Sequence, residues 1–336
     1  MEKNKLYINR KRIYSGPFSA VYKAEVGLGN GVNEVALKIT DPMDDRPPHN
    51  SRIELKTLMR LNGKGGKDYN VIELLDDFEI GDELIMVFPF YPFNLEDVIK
   101  LNSKKKINLF GNIFNKDCED KENDDSSLAI NRINKLPLSR AKEMVIALAK
   151  SLSFLHKNKI IHRDIKPENI LFKSLDSDPV LIDFGISWTA PDNYGKEPST
   201  KKITDIATGL YKAPELMFSL NTYSSAVDIW ALAIVMTLIY SQNCEPILDN
   251  DGNFSDLALL SSILQKFGTQ NLSNWEEVKH IDTFQKMNFF PQKGLSVDEI
   301  LPRCDDINMK KIFTKATIYQ SSSRITADEI LDLLVA

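Results

Sequence analysis

His162-Arg163-Asp164-Ile165-Lys166-Pro167-Glu168-Asn169, followed by Val180-Leu181-Ile182-Asp183-Phe184-Gly185, is the stretch on which the reading of this chain turns. The apolar pattern around it is helical. Upstream, Met144, Val145, Leu148, Leu152 and Leu155 form a stripe at helical spacing, and downstream a nearly all-apolar run from Asp228 to Tyr240 predicts a second helix. The first ninety residues read differently, as short strands around one helix. Ile13-Tyr14 and Ala20-Val21-Tyr22 flank a Ser15-Gly16-Pro17 turn, Glu34 to Ile39 is a β-branched run, and Leu84 to Phe88 follows a Gly81-Asp82 turn. The helix starts at about Ser51 and carries Ile53, Leu55, Leu58 and Leu61 at roughly helical spacing. Residues 102–135 are rich in Lys, Asn, Asp and Ser and poor in apolar residues, which predicts a mobile insert.

Composition narrows the partners. At 336 residues with 43% hydrophobic and 26% charged, the chain is an ordinary globular one, and its net charge of -5 argues against a nucleic-acid partner. The three cysteines, Cys118, Cys244 and Cys304, lie far apart with no C-x-x-C pair, which fits a reducing compartment and offers no zinc or redox centre. Met1-Glu2-Lys3-Asn4-Lys5 is too polar for a signal peptide, and the apolar run Ile229 to Tyr240 falls short of the ~20 residues that span a bilayer. The expectation is a protein of the cytoplasm and nucleus with no membrane partner. Lys104, Lys105 and Lys106 read either as part of a nuclear localisation signal or as a solvated charge run.

The two quoted stretches match, in order and spacing, the catalytic loop and the metal-binding Asp-Phe-Gly of protein kinases, and the chain resembles that family over nearly its whole length. The resemblance implies an α+β, bilobal protein kinase fold. A small antiparallel-sheet lobe with one helix would cover 1–90, and a larger helical lobe would cover 91–336. It also implies an ATP-dependent transferase whose catalysis is positioning and electrostatics. Asp164 would accept the proton of the attacking hydroxyl and Lys166 would offset charge on the transferred group, while Asn169 and Asp183 would give the oxygen ligands that Mg²⁺ requires. Lys38, in Val35-Ala36-Leu37-Lys38, would grip the α- and β-phosphates and pair with Glu54. Thr208, in Thr208-Gly209-Leu210-Tyr211-Lys212-Ala213-Pro214-Glu215, matches the threonine that bonds the catalytic Asp and Lys in serine/threonine kinases.

The same resemblance places the nucleotide. Phe88 corresponds to the gatekeeper, Pro89 gives a carbonyl to adenine and Tyr91 an N–H; a proline at 89 loses nothing, since only its carbonyl is needed. Asn94 stands where a side chain reaches the ribose, and equally where one caps a helix starting Leu95-Glu96-Asp97; both readings are open. Ile13, Gly16 and Val21 fall on the phosphate loop, but Tyr14 and Ser19 replace two of its glycines and Pro17 removes an N–H donor, so ATP is expected to be held less tightly from above. Arg163 is of the type that receives an activating phosphate, with Thr204 the nearest candidate and Asp205 beside it an alternative source of charge. Glu215 and Arg324 correspond to a structural ion pair, and Asp228-Ile229-Trp230 to a packing role at the start of the central helix.

Ser255 to Leu260 leading to Phe267-Gly268-Thr269 resembles the insert of cyclin-dependent kinases, yet the cyclin-binding P-S-T-A-I-R-E sequence is absent and Pro47-Pro48-His49-Asn50-Ser51-Arg52-Ile53-Glu54 stands in its place. That entry to the helix, the eroded glycine loop, Phe88-Pro89-Phe90, the long insert, Thr204-Asp205-Ile206 and Trp275-Glu276-Glu277-Val278 are similar to the monomeric cyclin-dependent-kinase-activating kinases of budding yeasts. This implies a monomer that needs no cyclin and phosphorylates the activation-loop threonine of a cyclin-dependent kinase. Two alternatives stand beside it: a pseudokinase binding module, suggested by the missing glycines, and an ordinary cyclin-dependent kinase, which the Arg52-Ile53-Glu54 context disfavours. Lys212, where relatives carry arginine, and Gly209 predict that proline is not demanded after the target residue.

Overall fold

Side chains alternate along the strands, and the alternation gives the sheet two buried faces. In the computed structural model, which describes residues 3–27, 34–105, 132–248 and 255–335, β1 (Tyr7–Ser15), β2 (Ala20–Val26), β3 (Glu34–Thr40), β4 (Asp76–Ile80) and β5 (Glu83–Pro89) make one antiparallel sheet in the order β1-β2-β3-β5-β4. Val35 and Leu37 of β3, Ile85 and Val87 of β5 and Ala24 of β2 cluster on one face. Met86 and Phe88, one residue out of phase, join the main core on the other. Lys38 is in register with Met86 and shares the face of Ala36 and Phe88, so its side chain is delivered toward the main core and not toward the outer cluster.

Helix α1 (Ser51–Asn62) sets Leu58 and Leu61 into that same core, which continues without a break into the helical part of the chain. There α2 (Leu95–Leu101), α3 (Leu138–Lys157), α4 (Pro214–Met217), α5 (Ala226–Ile239) and α6 (Asp256–Phe267) follow in order. Every residue of α5 is buried, so it has no polar face and serves as the axis on which the other helices pack. The architecture is α+β, an antiparallel sheet followed by helices. Ser103–Lys105 pairs antiparallel with Arg132–Asn134. Residues 106–131 of the insert, with Lys106 and Cys118, lie outside the described residues, and so does its expected mobility. Among the described residues, no helix is long and apolar enough to cross a membrane.

Candidate active site

The loop His162 to Asn169 is hung from the start of α5. Asp228 accepts hydrogen bonds from the backbone N–H groups of His162 and Arg163, both at 2.9 Å, and from His156 Nε2 at 2.9 Å. Burial works against the Asp228 charge, but the bond from His156, the nearby His162 and the Arg163 backbone N–H hold its carboxyl below the usual carboxylate range. Asp228 is therefore more than the packing residue expected from sequence: it anchors the loop. Arg163, at φ 73°, and Asp183, at φ 63°, both hold left-handed backbone. Such conformations persist only where surrounding bonds fix them, and they cluster at functional sites.

Fixed in this way, the polar side chains of the loop meet at one point. Thr208 Oγ1 donates to Asp164 Oδ1 at 2.8 Å, and Lys166 Nζ donates to Thr208 Oγ1 at 2.9 Å and lies 2.8 Å from Asp164 Oδ2. Asn169 commits its amide nitrogen to the main-chain and side-chain oxygens of Asp164, at 2.8 and 2.9 Å. Its amide oxygen remains as the atom able to ligate a hard cation. Ile182 N donates to Asn169 O at 3.0 Å, which ties Asn169 to the residue just before Asp183.

A second cluster faces the first. Lys38 Nζ donates to both Glu54 oxygens, at 2.6 and 2.8 Å, and to Asp183 Oδ1 at 2.8 Å. Burial alone would lower the Lys38 pKa; the Asp183 and Glu54 carboxylates outweigh it and raise it, so the ammonium is retained. Asp183 is the mirror case: burial would raise it, but Lys38 holds it well below the usual range, leaving an ionised oxygen donor on a side chain that is 38% exposed. An ionised carboxylate and an amide oxygen are the donors a hard divalent ion takes, so the residues present fit such an ion.

Helix α1 is brought to Lys38 by bonds within the chain. Asn50 caps it, accepting from Ile53 N at 2.9 Å, and donates its own N–H to Gly185 O at 3.1 Å; Ser51 N and Oγ both donate to Asp45 Oδ2 at 2.8 Å. At the far end Arg60 Nη2 donates to Asn158 O, at the end of α3, at 2.8 Å. Midway, Lys56 Nζ lies 5.8 Å from the centre of the Tyr194 ring.

Phe88 is buried at the end of β5, in register with Ala36, with Pro89 opposite Val35 and Tyr91 just beyond the strand. Val21 is in register with Lys38, and Ile13 is exposed on β1. Of the two readings of Asn94, the structure shows the cap: its Oδ1 accepts from Asp97 N at 2.9 Å and Asp97 Oδ2 accepts from Asn94 N at 3.0 Å, a capping box. Gly16 N donates to Ser19 O at 2.8 Å, closing the turn. A Cβ at Gly16 would lie 2.6 Å from Oη of the exposed Tyr14 side chain, so the ring of Tyr14 rests against this glycine and would have to move for a larger residue.

Arg163 departs from expectation. Among the described residues Glu197 faces it, receiving Nη2 at 2.6 Å and Nη1 at 3.0 Å, with neither side chain more than 6% exposed. Glu197 Oε1 also accepts from Ile203 N at 2.6 Å, and its main-chain oxygen accepts from Trp188 Nε1 at 2.9 Å. The segment from Trp188 to Ile203 is thus held on Arg163 by a built-in carboxylate. Glu197→Gln keeps the shape and removes the charge. It is expected to lower kcat/KM at least about tenfold, as a buried guanidinium loses its counter-charge. Phosphatase treatment of the unaltered protein is expected to leave its activity unchanged, and both are read in one kinase assay.

Comparison with known proteins places residues 7–334 on the family model described as the protein kinase domain. Serine/threonine-protein kinase CAK1 of Saccharomyces cerevisiae is 34% identical, over 72% of this chain and 71% of its own length. Serine/threonine-protein kinase csk1 of Schizosaccharomyces pombe is 36% identical over 48% of this chain and 53% of its own. Cyclin-dependent kinase 20 of Danio rerio is 26% identical over 95% of this chain and 80% of its own.

Proposed function

From the premise that the chain belongs to the protein kinase family and is an ATP-dependent serine/threonine kinase, we propose that it phosphorylates the activation-loop threonine of a cyclin-dependent kinase, with Mg²⁺, as a monomer and without a cyclin. The observation that carries the cyclin-free part is the Lys38–Glu54 pair, formed at 2.6 Å in the chain alone. In protein kinases this pair must be in place for phosphoryl transfer. Here Asn50, Asp45, Arg60 and Lys56 supply ties that hold α1 from within the chain, which supports a cyclin-free reading. Both charged clusters are assembled with every catalytic group present, which favours an active kinase over a pseudokinase.

The reaction assigns one task to each side chain. Asp164 takes the proton as the threonine Oγ–P bond forms and the bond from phosphorus to the bridging oxygen of ATP breaks, with ADP leaving on that electron pair. Lys166 and Lys38 set positive charge beside the phosphates. Asn169 and Asp183 would hold Mg²⁺, which when bound neutralises charge on the phosphate oxygens. Phe88, Pro89, Tyr91, Ile13, Gly16 and Val21 would border the nucleotide. The choice of substrate rests on the resemblance to cyclin-dependent-kinase-activating kinases. The test is the rate on an unphosphorylated cyclin-dependent kinase with and without added cyclins: equal rates support the proposal, and activity only with a cyclin overturns it.

Specificity beside the target follows from Lys212. Its ammonium sits on both Asp256 oxygens, at 2.9 and 2.8 Å, at the start of α6, and so is spent away from the backbone at Thr208. Ala207 and Gly209 hold left-handed backbone without it, at φ 62° and 50°. A degenerate peptide library is expected to show no enrichment of proline after the phosphorylated residue. Strong enrichment would contradict this reading.

A further inference from the structure

The turn between β1 and β2 lacks what usually closes such a loop over phosphates. Tyr14 and Ser19 stand at glycine positions and Pro17 has no N–H. Its shape is set by rings. Tyr14 lies against Gly16, and Phe18, half-buried, stacks on His49 with centroids 4.2 Å apart and planes at 26°.

His49 is not a surface residue that Phe18 happens to meet. It immediately precedes Asn50, which caps α1 and donates to Gly185 O at 3.1 Å, and its own N–H donates to Arg46 O at 2.8 Å. Burial pushes its imidazole below the usual value, and the charges of Asp183, Lys38 and Asp164 all reach it. The ring thus lies between the tip of the loop, on which it stacks, and the Lys38, Asp183 and Asp164 charges that reach it.

We propose that His49 is a positioning residue for ATP: its stack with Phe18 clamps the glycine-poor loop to the start of α1 and holds it closed over the phosphates, in place of the backbone freedom and close approach that glycines at 14 and 19 would give. The loop and α1 are then one unit, and closure needs no backbone freedom at positions 14 and 19. The inference rests on ATP use by the family. It requires the flat ring at position 49 and no particular protonation state.

The test measures Mg-ATP affinity by calorimetry, which needs no phosphate acceptor, on the full chain and on His49→Ala, Phe18→Ala, the double variant and His49→Phe. An aromatic stack of this kind predicts that each alanine variant weakens Mg-ATP about three- to tenfold. The double variant is expected to be no weaker than either single, since both remove the same contact. His49→Phe keeps a ring and is expected within about twofold of the unaltered protein. With saturating ATP, kcat and the KM for a protein substrate are expected to stay unchanged in all of them. Unchanged ATP affinity in both alanine variants overturns the clamp, as does a double variant in which the two losses multiply. His49→Phe as weak as His49→Ala would show that the imidazole itself acts, and overturns the ring-stack account. If the unaltered protein binds Mg-ATP normally, any of these failures leaves the kinase assignment standing.

Discussion

Asp164→Asn is expected to leave the fold intact and to lower turnover at least about a hundredfold, the loss typical when a positioned general base is removed. The amide has nearly the same shape and can still accept from Thr208 Oγ1 through its oxygen, where the carboxylate now accepts at 2.8 Å. What changes is the other atom. Asp164 Oδ2 faces two donors, Lys166 Nζ at 2.8 Å and Asn169 Nδ2 at 2.9 Å, and an amide nitrogen there would set donor against donor. The proton acceptor and the positioning of Lys166 are lost together. Single-turnover phosphorylation beside an unchanged thermal melt checks this, and a variant retaining most of the activity would remove Asp164 from its role.

Arg324→Ala is expected to cost about 3 to 5 kcal/mol of stability, the usual penalty for removing one partner of a buried ion pair. The pair is bidentate, with both distances 2.6 Å and both side chains 0% exposed. The guanidinium also donates to the main-chain oxygens of Ile318, Ala226 and Tyr319, at 2.7, 3.2 and 3.1 Å, and stacks 5.1 Å above Trp230. Truncation leaves a buried carboxylate and these carbonyls without their donors. With domain stabilities typically about 5 to 15 kcal/mol, the loss is a large share. A urea midpoint shifted strongly downward checks it, and replacing both partners, Glu215→Leu with Arg324→Met, is expected to recover part of the loss, because no buried charge is then stranded.

Strands β1, β2, β3 and β5, α1 and the two polar clusters were legible because local rules govern them, whereas β4 (Asp76–Ile80), with its charged Asp76-Asp77 start, was not read. Alternation sent Lys38 to the inner face of β3, and a short loop carries Asp164, Lys166 and Asn169 in fixed order. Of the two readings of Asn94, the cap is the one the aspartate three residues on made legible. Glu197 was illegible because its partner Arg163 lies 34 residues away, across a segment with no periodic pattern. Asp228 looked like packing because its neighbours are apolar; that it takes two backbone N–H groups from another loop is a tertiary fact. The stack of Phe18 on His49 joins a turn to a helix entry and leaves no mark in either alone.

The central claim is that this chain by itself modifies a cyclin-dependent kinase on its activation-loop threonine. The measurement is mass-spectrometric mapping of phosphate on an unphosphorylated, catalytically dead cyclin-dependent kinase after incubation with the purified chain, ATP and Mg²⁺, with no cyclin present. The account predicts one dominant phosphothreonine, in the activation loop of the substrate, and none with the Asp164→Asn variant. Phosphate spread over Ser-Pro and Thr-Pro sites elsewhere, or no transfer until a cyclin is added, would contradict it.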